Sequence, residues 1–226
     1  MRIAVFGTGM VGQALAARLA EQGHDVMVGT RDVAQALARK DPDGRGTPGF
    51  GAWHAGHPRV QVGTFPQAAA HGEILVNATS GTAVLEVLGQ AGAERLAGKV
   101  LIDVANPLDF SKGVPPTLSV CNTDSLAEQI QRAFPALKVV KALNTTNASV
   151  MTDPATVGDA DHTLFVCGND AEAKARVTEL VRSFGWKDVL DVGDVTAARA
   201  TEMLLPIWLR LFGLFKTPLF NFKVVH

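Results

Sequence analysis

Ile3-Ala4-Val5-Phe6-Gly7-Thr8-Gly9-Met10-Val11-Gly12 runs from an apolar stretch directly into a Gly-x-Gly-x-x-Gly turn. A buried strand followed by this spacing turns sharply into a helix. The free N–H groups and positive dipole end of that helix can hold a pyrophosphate, and only glycines let the backbone come close enough. Val11, Leu15 and Leu19 then recur at helical spacing among alanines, and Gly23 supplies the expected stop. The chain therefore starts as a Rossmann unit.

Val26-Met27-Val28-Gly29 reads as the second strand, and Thr30-Arg31 stand where it ends. A carboxylate at that place would bind the ribose 2'-hydroxyl of NAD. A hydroxyl and a guanidinium suit a 2'-phosphate instead, so the turn reads as a site for NADP. Each hydrogen bond to a charged group contributes about 1.5–3 kcal/mol, so two of them favour NADP over NAD by roughly a hundredfold. Asp32 comes one residue later and is expected to cap the next helix.

The 226 residues suffice for one large α/β domain with an ample core and leave no room for a separate large substrate domain. The formal net charge is -1 and no basic run stands out, which argues against a nucleic-acid or acidic-membrane partner. Cys121 and Cys167 are far apart and are expected to be reduced, buried thiols. Met1-Arg2 leads straight into the first strand without a signal-peptide pattern, so a cytoplasmic location is expected. Met203 to Phe222 is strongly apolar but interrupted by Pro206, Arg210, Gly213, Lys216 and Pro218. It reads as a buried helix and its exit, not a membrane span.

Strand and helix signals alternate along the chain. A helix is expected over Val33 to Lys40, then a Gly/Pro-rich loop from Asp41 to Pro58 with one short helical turn. A strand follows at Val60–Val62, a helix at Pro66 to His71, and a strand at Glu73–Ala78. Ala83 to Leu96 reads as one helix, Lys99–Val104 as a buried strand, and Ser125-Leu126-Ala127-Glu128 as a capping box opening a helix to Phe134. Val139–Leu143 is a further strand. The alternation implies a doubly wound parallel sheet covered on both faces. Residues 1–145 would form the nucleotide-binding core of a single domain. Residues 146–226 would extend its sheet with strands at His162–Cys167 and Val189–Val192, a helix at Ala171–Phe184, and a last helix from Thr196 to Phe215 kinked at Pro206.

Ligands of an open parallel sheet lie at the carboxyl ends of its strands. The residues there are Ala78-Thr79-Ser80-Gly81, Ala105-Asn106-Pro107-Leu108 and Asn144-Thr145-Thr146-Asn147. These small or amide side chains suit a flat nicotinamide ring and suit acid–base catalysis poorly. Lys141 is the charged candidate nearby, for catalysis or simply for pairing within its strand. Arg199 and Glu202, three apart, are placed to pair with each other or to face a substrate. His54 and His57 lack ligand partners at metal spacing, and Asp159, Asp161 and His162 read as a solvated loop, so no metal site is expected. No hydrolase signature stands out.

Taken together, Gly7-Thr8-Gly9-Met10-Val11-Gly12, Gly29-Thr30-Arg31, Lys141-Ala142-Leu143-Asn144-Thr145 and Arg199-x-x-Glu202-x-x-x-Pro206 resemble the family of coenzyme F420-dependent NADP oxidoreductases, which is similar in turn to the reductase domain of the STEAP metalloreductases. The resemblance implies that Thr8, Thr30 and Arg31 bind the 2'-phosphate. It assigns Gly9 to Gly12 to the pyrophosphate and places Ala142 and Asn144 near the nicotinamide. It also implies hydride transfer to a stacked deazaflavin, with no essential acid–base residue, and a homodimer. The chain departs from the archaeal pattern at Gln35, where a basic residue is usual, and at Asn144-Thr145-Thr146-Asn147, beside the acceptor. The acceptor thus stays open among F420, a flavin, a quinone-like compound and a small carbonyl. The candidate catalytic residues are Asn144, Thr145 and Lys141. The alternatives are a non-catalytic NADP(H) sensor or partner subunit, and an imine or carbonyl reductase.

Overall fold

The computed structural model describes residues 1–44 and 46–225. Its central sheet has eight strands: β1 (Arg2–Phe6), β2 (Asp25–Thr30), β3 (Gln61–Thr64), β4 (Ile74–Asn77), β5 (Val100–Asp103), β8 (Lys138–Ala142), β9 (Thr163–Gly168) and β10 (Asp188–Asp191). Two short strands, β6 (Leu108–Asp109) and β7 (Thr117–Leu118), form a separate antiparallel ribbon that no sequence signal announced. Across the large sheet the order is β10-β9-β8-β5-β4-β1-β2-β3. The order reverses at β1, which lies between β2 and β4, and this opens a crevice at their carboxyl ends.

Alternate residues of each strand feed opposite layers. Ile3, Val5, Val26, Val28, Val76 and Ile102 join one apolar cluster, while Ala4, Phe6, Leu75 and Leu101 join the other. Both faces are thus covered, as near-continuous apolar strands require. The Rossmann expectation holds with one difference: β9 runs antiparallel to β8, and β10 then runs parallel to β9. The link from β8 to β9, with the short helix α8 (Ala148–Thr152) and two single 3-10 turns, brings the chain back in the opposite direction.

The helices follow the expected plan in the first half. α1 (Met10–Glu21) follows the glycine turn, and Gly23 with φ +82° ends it. Asp32 caps α2 (Val33–Ala38) by accepting the Gln35 N–H at 2.9 Å. α3 (Phe50–Ala55) is the short helix expected in the Gly/Pro loop, of which Arg45 lies outside the described residues. Thr64 and Gln67 form a reciprocal capping box on α4 (Phe65–His71).

Several expectations need correction. The single helix over Ala83 to Leu96 is two, α5 (Val84–Ala91) and α6 (Ala93–Leu96), because Gly92 adopts φ +94° between them. Ser125 caps α7 (Leu126–Ala133), but the Glu128 carboxylate accepts from the Ser125 hydroxyl, not from its backbone N–H. After α9 (Ala171–Ser183), the last apolar segment splits into α10 (Ala198–Met203) and α11 (Leu205–Phe215). Pro206 has no N–H to continue the ladder, so the helix restarts there. The segment was expected to be buried, yet Leu205 is the only buried residue of α11, and Leu214 is 71% exposed. Cys121 is exposed, while Cys167 is buried and both are free. Burial pushes the Cys167 thiol up to about 12. His162, placed by the sequence in a solvated loop, is buried and hydrogen-bonded to the Pro154 carbonyl and Asn221. No helix among the described residues is long and apolar enough to cross a membrane.

Candidate functional site

The glycine turn is built by close backbone approach. Gly7 has φ +120°, and a Cβ there would meet the Ala78 carbonyl oxygen at 2.4 Å. At Gly12 a Cβ would meet the Gly7 oxygen at 2.1 Å. These two glycines, with Ala78 behind them, lock β1, β4 and α1 together. Gly9 differs, since a Cβ there would meet nothing within 4 Å. Gly9 also caps α1 without a side-chain acceptor, and the first turn of α1 carries no acidic residue. The positive helix end thus faces open space, which fits a pyrophosphate.

On one side of the turn, Met10, Val11, Thr79, Ser80, Ala105, Asn106, Asn144 and Thr145 line a cavity of about 340 Å³. The three strand-end clusters named from the sequence do converge. Ala142 and Pro107 do not line it: Ala142 is buried within β8, and the Pro107 carbonyl accepts from Ser119. Leu143, with φ +63°, bends the chain out of β8 and presents Asn144. The Asn144 Nδ2 donates to Asn106 Oδ1 at 3.0 Å, and Asn106 Nδ2 donates to the Asn144 carbonyl at 2.8 Å. This clasp ties the ends of β5 and β8. Asn144 Oδ1 and Thr146 Oγ1 are buried without a partner among the described residues, polar groups that fit a ligand with its own hydrogen bonds, such as a carboxamide.

Leu108, named from the sequence, begins the outer wall, but sequence reasoning missed the rest of it, Phe110 beside the β6–β7 ribbon and Leu205 and Trp208 of α11. The i,i+3 spacing of Leu205 and Trp208 was visible, but nothing local showed which side of an all-round apolar helix would close a cleft. No Asp, Glu, Lys, Arg or His lines this cavity among the described residues.

Lys141 lies elsewhere, fully buried, with its Nζ 2.8 Å from Asp103 Oδ2, 2.7 Å from Glu202 Oε1 and donating to the Ala105 carbonyl at 2.5 Å. Asn77 Nδ2 donates to the other Asp103 oxygen at 2.7 Å, and Thr79 Oγ1 donates to Asn77 Oδ1 at 2.6 Å. Burial opposes the charge on Lys141, but the two carboxylates outweigh it and hold its pKa above the ordinary value. Burial pushes Glu202 up against the pull of Lys141 and of the Leu126 N–H. The lysine is thus an ammonium ion tied beneath the cleft floor.

Arg199 and Glu202 do not pair with each other. Glu202 accepts from Leu126 N and Ala127 N at the start of α7, at 2.9 and 3.2 Å. Arg199 grips Glu128 through Nε at 2.9 Å and Nη2 at 2.5 Å, which holds the Glu128 carboxyl below its usual range. An anion at a helix N-terminus is favourable, so α7 rather than the neighbouring arginine claims Glu202.

On the other side of the turn, a cavity of about 350 Å³ is lined by Thr8, Gly9, Arg39, Lys40, Asp41, Asp43 and residues 47–50. Thr30 is buried at the end of β2. Arg31 is exposed and reaches Glu86 of α5 at 3.3 Å, a surface pair worth about 0–1 kcal/mol that a phosphate can displace. No group of three metal-ligating side chains occurs among the described residues. The His54 and His57 rings bond to the carbonyls of Val60 and Trp53.

Residues 2–107 match the family model described as NADP oxidoreductase coenzyme F420-dependent. The F420-dependent NADP reductase of Methanocaldococcus jannaschii is 29% identical over 93% of this chain and 92% of its own. Rat metalloreductase STEAP3 is 30% identical over 92% of this chain, which spans only 38% of the STEAP3 length. A crystal structure from Arthrobacter sp. FB24, provisionally designated an F420-dependent NADP-reductase, covers 100% of both chains at 54% identity with a TM-score of 0.96. A fold shared from end to end at that identity, with a glycine turn inside the matched region, shows that the chain belongs to the family of coenzyme F420-dependent NADP oxidoreductases.

Proposed function

We propose that this chain passes hydride between NADP(H) and a flat deazaflavin (F420) or flavin-like acceptor in the cleft beside the glycine turn. The observation that carries the reading is the 340 Å³ cavity, which joins three strand ends to α11 and has no ionisable side chain in its lining among the described residues. The nicotinamide, when bound, supplies the hydride, so this step needs no proton relay from the protein. The protein's task is then to orient and to keep water out. For orientation, Asn144 and Thr146 offer polar atoms that have no partner among the described residues, and Leu205, Trp208 and Phe110 supply apolar walls. A carbonyl or imine reductase would need a donor, and the amine of Lys141 is sealed with 0% of its side chain exposed.

Stopped-flow absorbance with NADPH against F420, FMN and FAD tests the proposal. Rapid loss of the reduced nicotinamide band with one of them supports it. Tight binding without turnover on any acceptor would replace it with a sensor or partner-subunit role. Arg31→Ala should raise the Kd for NADPH by about ten- to a hundredfold and leave NADH nearly unchanged. Equal weakening of both would sink the 2'-phosphate assignment. The proposed macromolecular partner is a second copy of this chain, docked through the apolar side chains that α11 leaves exposed, Ile207, Phe212, Leu214 and Phe215. A monomer in sedimentation would refute that.

A further inference from the structure

Arg39 stands eight residues beyond Arg31, at the C-terminal cap of α2. A crossover helix of ordinary length would carry such a residue down the flank of the sheet. α2 has only six residues, about 9 Å of helix, and Arg39 reaches back to the glycine turn, where its Nη2 donates to Thr8 Oγ1 at 2.6 Å.

The corner that holds Arg39 is tightly built. Its carbonyl accepts the Gly51 N–H at 2.8 Å. A Cβ on Gly49 would meet the same carbonyl at 2.7 Å, and one on Gly51 would meet the Leu37 oxygen at 1.9 Å. The backbone of residues 37–39 is therefore clamped against residues 49–51, and the guanidinium is aimed from a fixed base. The neighbouring cation, Lys40, donates to the Gly51 carbonyl at 3.1 Å and helps brace the same corner. Asp41 and Asp43 also line the cavity, and Asp43 Oδ1 accepts the Thr47 N–H at 2.9 Å.

On these observations, and resting on the NADP(H) reading above, we infer that Arg39 is a second specificity-determining arginine that grips the 2'-phosphate together with Thr8 and Arg31. The Thr8 hydroxyl sits in the turn beside the open space over Gly9, and the Arg39 guanidinium is already in contact with it. A planar guanidinium offers paired donors that match a phosphate.

Calorimetric titration of the whole protein with NADPH, NADH, 2',5'-ADP and ADP tests this. Arg39→Ala should raise the Kd of NADPH and of 2',5'-ADP by about tenfold, and change NADH and ADP by less than about twofold. Arg39→Lys should recover part of the loss, and the Arg31→Ala/Arg39→Ala double variant should bind NADPH and NADH alike. If Arg39→Ala leaves NADPH affinity unchanged while Arg31→Ala weakens it, the Arg39 assignment fails alone. If Arg39→Ala weakens all four ligands equally, Arg39 merely braces the turn and the inference is overturned. If neither variant alters the NADPH to NADH ratio, the NADP(H) reading fails with it.

Discussion

The two cavities that flank the glycine turn are close in size, about 340 and 350 Å³, and opposite in chemistry. One is lined by amides, hydroxyls and apolar side chains, the other by Arg39, Lys40, Asp41 and Asp43. Charge at the second end can discriminate a phosphate from a hydroxyl, because a buried or half-buried ion contact changes affinity by a factor of ten or more. Its absence at the first end means that selection there depends on shape. The charges of Lys141, Asp103 and Glu202 behind that neutral end are fully buried and spent on one another, in a network that reaches the cleft through Thr79 and the backbone of Ala105.

Breaking that separation should have its largest effect on stability. Lys141→Met leaves the carboxylates of Asp103 and Glu202 buried around an apolar side chain, a loss of about 3–5 kcal/mol if both stay in place. Chemical denaturation should show it as a lower midpoint with an unchanged slope. A Lys141→Met protein with wild-type stability but no hydride transfer would contradict the assignment of Lys141 to support and return it to catalysis.

A smaller effect is expected from placing charge at the neutral end. Asn144→Asp is nearly isosteric, but it removes the donor that bonds Asn106 Oδ1 at 3.0 Å and sets a carboxylate in the lining. Single-turnover hydride transfer should slow by about tenfold, equivalent to about 1.4 kcal/mol, with the NADPH Kd changed by only about twofold. An unchanged rate would show that the clasp between β5 and β8 does not orient the reacting ring.

The contrast also marks what the sequence revealed. The glycine turn, the Asp32 and Ser125 caps and the three strand-end clusters were legible because each depends on residues within a few positions of one another. The same local logic gave the strands on both sides of the sheet. Long-range choices were not legible. Arg199 and Glu202 satisfied the spacing rule for a helical pair, yet partners more than seventy residues away, Glu128 and the start of α7, claimed them. The reversal of β9 and the exposure of α11 likewise follow from how the tail packs, which no period within the tail encodes. Arg39 was passed over because a crossover helix of ordinary length would have carried it away from the turn.

The smallest effect tests the contrast between buried and exposed charge along α7 itself. Arg132 grips Asp124 with two hydrogen bonds of 2.8 and 2.9 Å, and these bonds, against a modest burial penalty, lower the Asp124 carboxyl to about 2. A depressed carboxylate contributes stability that is fully present above its unfolded value near 3.8 and is lost as pH falls through the folded value. Arg132 is 60% exposed, so water and salt screen the pair and its contribution should be small. Asp124→Asn should therefore lower the urea midpoint slightly at pH 7, and the gap to wild type should close between about pH 4 and pH 2. Glu202, at the buried start of the same helix, has its carboxyl raised, so its own contribution has the reverse sign: most favourable at low pH and weakening as pH rises toward the folded value. If Asp124→Asn kept its full deficit at pH 2, the Arg132 contact would not be what holds that carboxylate ionised, and the opposite pH signs of the two carboxylates beside the start of α7 would lose their physical basis.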